Sequence, residues 1–111
     1  MKVLIADKDT HAVKLLDMVL KEQGFKPIIC TTGDEAFRRW QSNDHPPIVI
    51  IDPALPDMTG IDLLKKMREH DRGRATYVIF LTNKGLRENI ITAFNAGVDE
   101  YMVKPFYAEE L

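Results

Sequence analysis

The chain holds a single cysteine, Cys30, so no internal disulfide can form and the stapled framework of small secreted domains is excluded; a reducing, cytoplasmic setting is the natural expectation. Long apolar runs are also missing, and nothing approaches the length that spans a bilayer. The opening stretch Met1–Ala6 is too short for a signal-peptide core and runs directly into Asp7-Lys8-Asp9. Neither sign of charge is in excess: 15 basic and 17 acidic residues leave a net charge of −2, without the basic surface that holds a phosphate backbone, so direct binding of DNA is not expected. No glycine-rich loop follows the first apolar stretch and no Gly-Lys-Ser/Thr run occurs, which argues against a dinucleotide fold and a P-loop. Internal repeats and low-complexity segments are likewise missing.

What is there suits one soluble body. The 111 residues, 45% hydrophobic and 29% charged, are enough to bury one core and too few for two, so residues 1–111 are read as a single domain. Val3–Ala6 is a short apolar strand, followed by Asp9-Thr10 and a helical pattern with Ala12, Leu15, Leu16, Val19 and Leu20 on one face. Gly24 closes that helix, where a left-handed residue is cheap, and Pro27–Cys30 supplies a second strand. The alternation then repeats. Gly33–Gln41 is helical with Ala36, Phe37 and Trp40 inward; Ile48–Ile51 is the most continuously apolar stretch and reads as the central strand. A helix after Gly60 carries Ile61, Leu64 and Met67, Tyr77–Leu81 is a fourth strand, a further helix carries Ile90, Ile91 and Phe94, and Glu100–Val103 is a fifth strand. Strands alternating with helices imply a parallel sheet covered on both faces, because crossovers are right-handed. The length favours an open doubly wound sheet over a barrel. Tyr107–Leu111 begins a last helix and leaves it incomplete, so the segment reads as the N-terminal part of a longer chain.

In open sheets of this kind ligands gather beyond the carboxyl ends of the strands. Asp7 ends strand one, Asp52 strand three, Thr82 strand four, and Lys104-Pro105 strand five. Separately, each is an ordinary turn, cap or surface residue. Jointly they supply a carboxylate nucleophile, a second carboxylate, a hydroxyl and an ammonium, the residue types that an acyl-phosphate chemistry requires.

The stretches Val3–Asp7, Ile50–Gly60, Phe80–Thr82 and Ala96–Phe106 resemble the receiver domains of bacterial two-component response regulators, and the resemblance covers nearly the whole chain. It implies a flavodoxin-like five-stranded parallel sheet of order 2-1-3-4-5. It implies a phosphoryl acceptor rather than a turnover enzyme, one that promotes its own phosphorylation and dephosphorylation, with Asp52 modified by a histidine kinase or phosphotransfer protein. Thr82 and Lys104 would bind the phosphoryl oxygens, and Mg2+ would sit on Asp7, Asp52 and the backbone carbonyl of Ala54. A cis peptide before Pro105 would aim Lys104. Thr82 and Tyr101 would form the switch, read out on the face of helix four, strand five and helix five. That face is also where a homodimer would form, with an output domain following the segment.

The sequence departs from that pattern twice. Lys8 stands where the family has the acidic residue that binds the metal directly. Each unit charge at about 4 Å is worth about 4 kcal/mol at an effective dielectric near 20, so Mg2+ binding should be weak or absent. Asn83 follows Thr82 where a small residue is usual. The alternative is therefore a pseudo-receiver: a protein-interaction module independent of phosphorylation, with Lys8 paired to Asp52 in the metal site. Asp9 is read as an N-cap in preference to a substitute ligand. His11, His45 and His70 lack zinc-ligand spacing and are expected to face solvent, and Trp40 and Phe37 are expected to be core anchors.

Overall fold

The computed structural model describes residues 1–42, 45–70, 75–82 and 87–104, with the backbone alone at 87–89. Within them the order is β1 (Lys2–Ala6), α1 (Thr10–Glu22), β2 (Lys26–Cys30), α2 (Gly33–Gln41), β3 (Ile48–Ile51), α3 (Gly60–Glu69), β4 (Tyr77–Thr82), α4 (Arg87–Ala96) and β5 (Glu100–Val103). The strands form one sheet of order β2-β1-β3-β4-β5, and every adjacent pair is parallel. This is the open doubly wound arrangement expected from the alternation. The unfinished helix from Tyr107, and the peptide before Pro105, lie outside the described residues.

Strand side chains alternate between two cores, as the pleat demands. Leu4, Ala6, Val49, Ile51, Val78 and Phe80 point to the face covered by α2, α3 and α4, whereas Val3, Ile5, Ile50 and Leu81 point to the face where α1 inserts Leu16 and Leu20. The first helix starts at Asp9, whose side chain accepts from the His11 and Ala12 amides, and it ends at Gly24 with φ +88°. The third helix starts with a reciprocal Thr59–Asp62 capping box, satisfying amides that the first turn leaves free.

Several inward assignments are corrected. Leu15 is 37% exposed; Ala12, Leu16, Val19 and Leu20 already fill the stripe that faces the sheet. On α3 Leu63 is buried beside Leu64 and Met67, while Ile61 only packs at the margin. On α4, Ile91 and Phe94 are 64% and 48% exposed, and among the helix's described side chains Ala93 is the buried one. His45 and His70 do not simply face solvent. Both rings lie against Trp40, at centroid distances of 4.8 and 5.3 Å, and Trp40 is fully buried with its indole N–H donating to Thr76 Oγ1 at 3.0 Å.

Arg68 fastens the end of α3 to the turn before β5. Its guanidinium donates to the carbonyls of Thr76 and Gly97 and to Asp99, at 2.7, 2.6 and 2.8 Å. Gly97 has φ +107°, and a Cβ there would stand 3.2 Å from Arg68 Nε, so the turn needs glycine for both conformation and space.

Candidate functional site

The strand pairing extends one residue beyond the strands themselves. The Asp7 amide donates to the Cys30 carbonyl (3.0 Å), Asp52 to Ala6 (2.9 Å) and Lys104 to Thr82 (2.6 Å). Parallel ladders in register thus deliver residues that are distant in sequence to one level of one rim. The apolar strand sequences force this, because a slip of one residue would turn the buried side chains to the wrong face.

Asp7 and Asp52 are both buried there, at 2% and 4% exposure. The Lys104 ammonium lies between them, 2.8 Å from Asp7 Oδ2 and 2.8 Å from Asp52 Oδ2, and 3.5 Å from Asp9 Oδ2. The remaining oxygens are held by backbone amides: Asp9 N–H donates to Asp7 Oδ1 at 2.8 Å, and Ala54 N–H donates to Asp52 Oδ1 at 2.8 Å. Burial pushes the Asp7 carboxyl above the usual carboxylate range, against the opposing hydrogen bond from Lys104. Burial also disfavours the Lys104 ammonium, but its hydrogen bonds to Asp52 and Asp7 outweigh this and hold it above the ordinary lysine value. Asp9 lies below the carboxylate range, mainly because it accepts from the Ala12 amide, in keeping with its role as cap.

One electrostatic expectation is overturned. The cation paired with Asp52 is Lys104, not Lys8, whose side chain is exposed. Lys8 follows a strand-end residue that points inward, so its own side chain leaves on the opposite side of the chain.

Thr82 and Tyr101 are half-buried and line one cavity of about 260 Å3 together with Pro53, Ile61, Phe80 and Thr92. The Tyr101 ring lies 6.4 Å from that of Phe80. The structure therefore brings Asp7, Asp52, Lys104, Thr82 and Tyr101 to one region; Asn83 lies outside the described residues.

Sequence reasoning missed Asp57. Its two carboxylate oxygens accept from Gly33 N–H (2.7 Å) and Asp34 N–H (2.9 Å), the first two amides of α2. Those bonds hold its carboxyl below the usual range. No local pattern announces this, because the partner helix lies 23 and 24 residues earlier in the chain.

An open parallel sheet that gathers two buried carboxylates, a lysine and a threonine at its carboxyl rim defines the class of aspartate-centred signalling domains. Residues 3–111 match the response regulator receiver domain, and the chain belongs to that family. It is 32% identical to the chemotaxis protein CheY1 of Helicobacter pylori over 112 residues, covering 100% of this chain and 90% of that protein. It is 34% identical to the transcriptional regulatory protein SrrA of Staphylococcus aureus over 110 residues, covering 99% of this chain but only 44% of that protein. Among solved structures, the CheY-like receiver domain protein of Methanospirillum hungatei superposes with a TM-score of 0.87 at 29% identity, covering 98% of this chain and 85% of that one.

Proposed function

We propose that this receiver domain takes a phosphoryl group on Asp52 from a phosphohistidine of a partner kinase or phosphotransfer protein. In that step an Asp52 carboxylate oxygen attacks phosphorus, the P–N bond breaks, and the imidazole leaves with the bonding pair. Lys104, which now holds Asp52 Oδ2, moves with the charge onto a phosphoryl oxygen, and the Thr82 hydroxyl binds another. The Ala54 amide keeps the nucleophile oriented through its other oxygen. Thr82 then reports the modification to Tyr101 across their shared cavity, changing what the α4–β5 face binds. Exposed Ile91, Phe94 and Val103 give that face its apolar character, suited to a partner, an output domain or a second copy. The setting is cytoplasmic.

The observation that carries this reading is the Lys104 ammonium held at 2.8 Å by two buried carboxylates. A positive charge seated between oxygen ligands supports the reading, because a hard divalent ion asks for the same kind of surroundings. Among the described residues no group of three or more His, Cys, Asp or Glu side chains could hold a metal. Asp7, Asp52 and the Ala54 carbonyl would hold Mg2+ with water completing its shell, a habit typical of that ion. When bound, it would neutralise charge on the phosphoryl oxygens. With Lys8 in place of an acidic residue, we expect that binding to be weak.

Incubation with a small-molecule phosphodonor and Mg2+, followed by intact mass, tests the reading. One phosphoryl adduct is expected, lost in Asp52→Asn and formed at lower Mg2+ in Lys8→Asp. No adduct in the parent would sink it, and one appearing only in Lys8→Asp would leave a phosphorylation-independent interaction module.

A further inference from the structure

We infer that Asp57 is a positioning residue for Asp52, holding the acceptor's loop against the start of α2; the functional half of this inference rests on the proposed phosphoryl transfer. The loop from Pro53 to Thr59 is closed at its base. Gly60 N–H donates to the Pro53 carbonyl at 2.8 Å, and Ala54 pairs with Thr59 as an isolated antiparallel bridge. Closure is tight enough that a Cβ on Gly60 would stand 2.7 Å from Pro53 Cα. Side chains hold the tip of this loop. Leu55 is buried in the core, Met58 lies over Gly33, and Asp57 clasps the Gly33 and Asp34 amides.

Asp57 completes the first turn of α2 from outside that helix. A helix start leaves its first amides without intrahelical acceptors. The Thr32 side chain, at the N-cap, accepts from Glu35 N–H, and the two amides before that one are taken by Asp57. A full negative charge also suits the positive end of the helix dipole. The contact is close: a Cβ on Gly33 would stand 2.5 Å from Met58 Cγ, so the Met58 side chain would have to shift.

The connection to chemistry runs through Ala54. Its amide donates to Asp52 Oδ1, and its carbonyl is the candidate metal donor on the same short loop. Releasing the tip removes one hold on this loop, and any slack passed to its base reaches Asp52 through these two groups of Ala54. A displacement near 1 Å is enough to slow a positioned reaction by up to about a hundredfold.

The test uses Asp57→Ala and Asp57→Asn in the same domain. Amide exchange is read at Gly33, Asp34 and Ala54 by NMR, and the Asp52 phosphorylation rate is read with the phosphodonor and Mg2+. In Asp57→Ala, exchange at all three amides is expected to rise by about tenfold, with phosphorylation slowed by about tenfold to a hundredfold. Asp57→Asn retains one accepting oxygen and should recover part of both. Faster exchange confined to Gly33 and Asp34, with Ala54 and the rate unchanged, would reduce Asp57 to a helix cap and overturn the inference. Should Asp57→Ala not fold, the Asn variant decides alone. Should the parent take no phosphate, the phosphoryl-transfer reading fails, while Ala54 exchange still decides whether Asp57 holds the loop.

Discussion

Replacing Lys104 by methionine isolates the electrostatics of the rim. The substitution keeps most of the side-chain volume and deletes the one positive charge between two buried carboxylates. The three side chains are 7%, 2% and 6% exposed for Lys104, Asp7 and Asp52, so water does little to replace the lost ammonium. Both carboxylate oxygens sit 2.8 Å from the same nitrogen. At a separation of about 5 Å and an effective dielectric near 20 their repulsion is about 3 kcal/mol. Removing one partner of a buried ion pair costs roughly 3–5 kcal/mol, which agrees. Urea unfolding followed by the fluorescence of Trp40, the only tryptophan, should show the midpoint falling by about 1–2 M near neutral pH.

The sign of the pH dependence follows from Asp7. Its carboxyl is already pushed up by burial, and Lys104 opposes that push, so the variant's folded-state value rises further. Such a group favours folding below its unfolded value and loses that contribution as pH rises through the folded one. The deficit of Lys104→Met should accordingly shrink as pH falls from about 8 to about 5. Lys8→Met, at an exposed position, should stay within about 0.5 kcal/mol of the parent. A Lys104→Met domain as stable as the parent at pH 8, or a deficit indifferent to pH, would refute the assignment of Lys104 as the neutralising cation.

The other expected outcomes are simpler to read. Phosphoryl transfer should give a single adduct that Asp52→Asn abolishes, measured by intact mass, and the Asp57 pair should separate loop anchoring from helix capping by amide exchange. Gly60→Ala should lower stability by about 1–3 kcal/mol in thermal melting, since the added methyl meets Pro53 backbone and not a yielding side chain. Cys30, buried and pushed up to about 11 by that burial, should react with a thiol reagent near pH 8 only as fast as the protein unfolds; rapid labelling of the native domain would contradict its placement.

The order of strands and helices was legible because period-2 and period-3.6 patterns are local and each apolar strand ends in a polar residue. Asp7, Asp52, Thr82 and Lys104 could be picked out for the same reason: strand ends in a parallel sheet share one rim, whatever the length of chain between them. Exposure on the helices was less legible. Ile91 and Phe94 are large and apolar yet exposed, while small Ala93 is buried, and hydrophobicity alone does not say which apolar positions of a helix face the core. His45 and His70 likewise look like surface residues until Trp40 is placed between them.

By itself the sequence determined the alternation of elements, the parallel sheet and the set of chemical groups at its edge, since these follow from local periodicity and residue type. Only the tertiary structure decided which lysine neutralises Asp52 and what Asp57 holds. Charge pairing depends on the direction a side chain takes in space: Lys8 is next to Asp7 in the chain and points outward, while Lys104 is 97 residues away and reaches it at 2.8 Å.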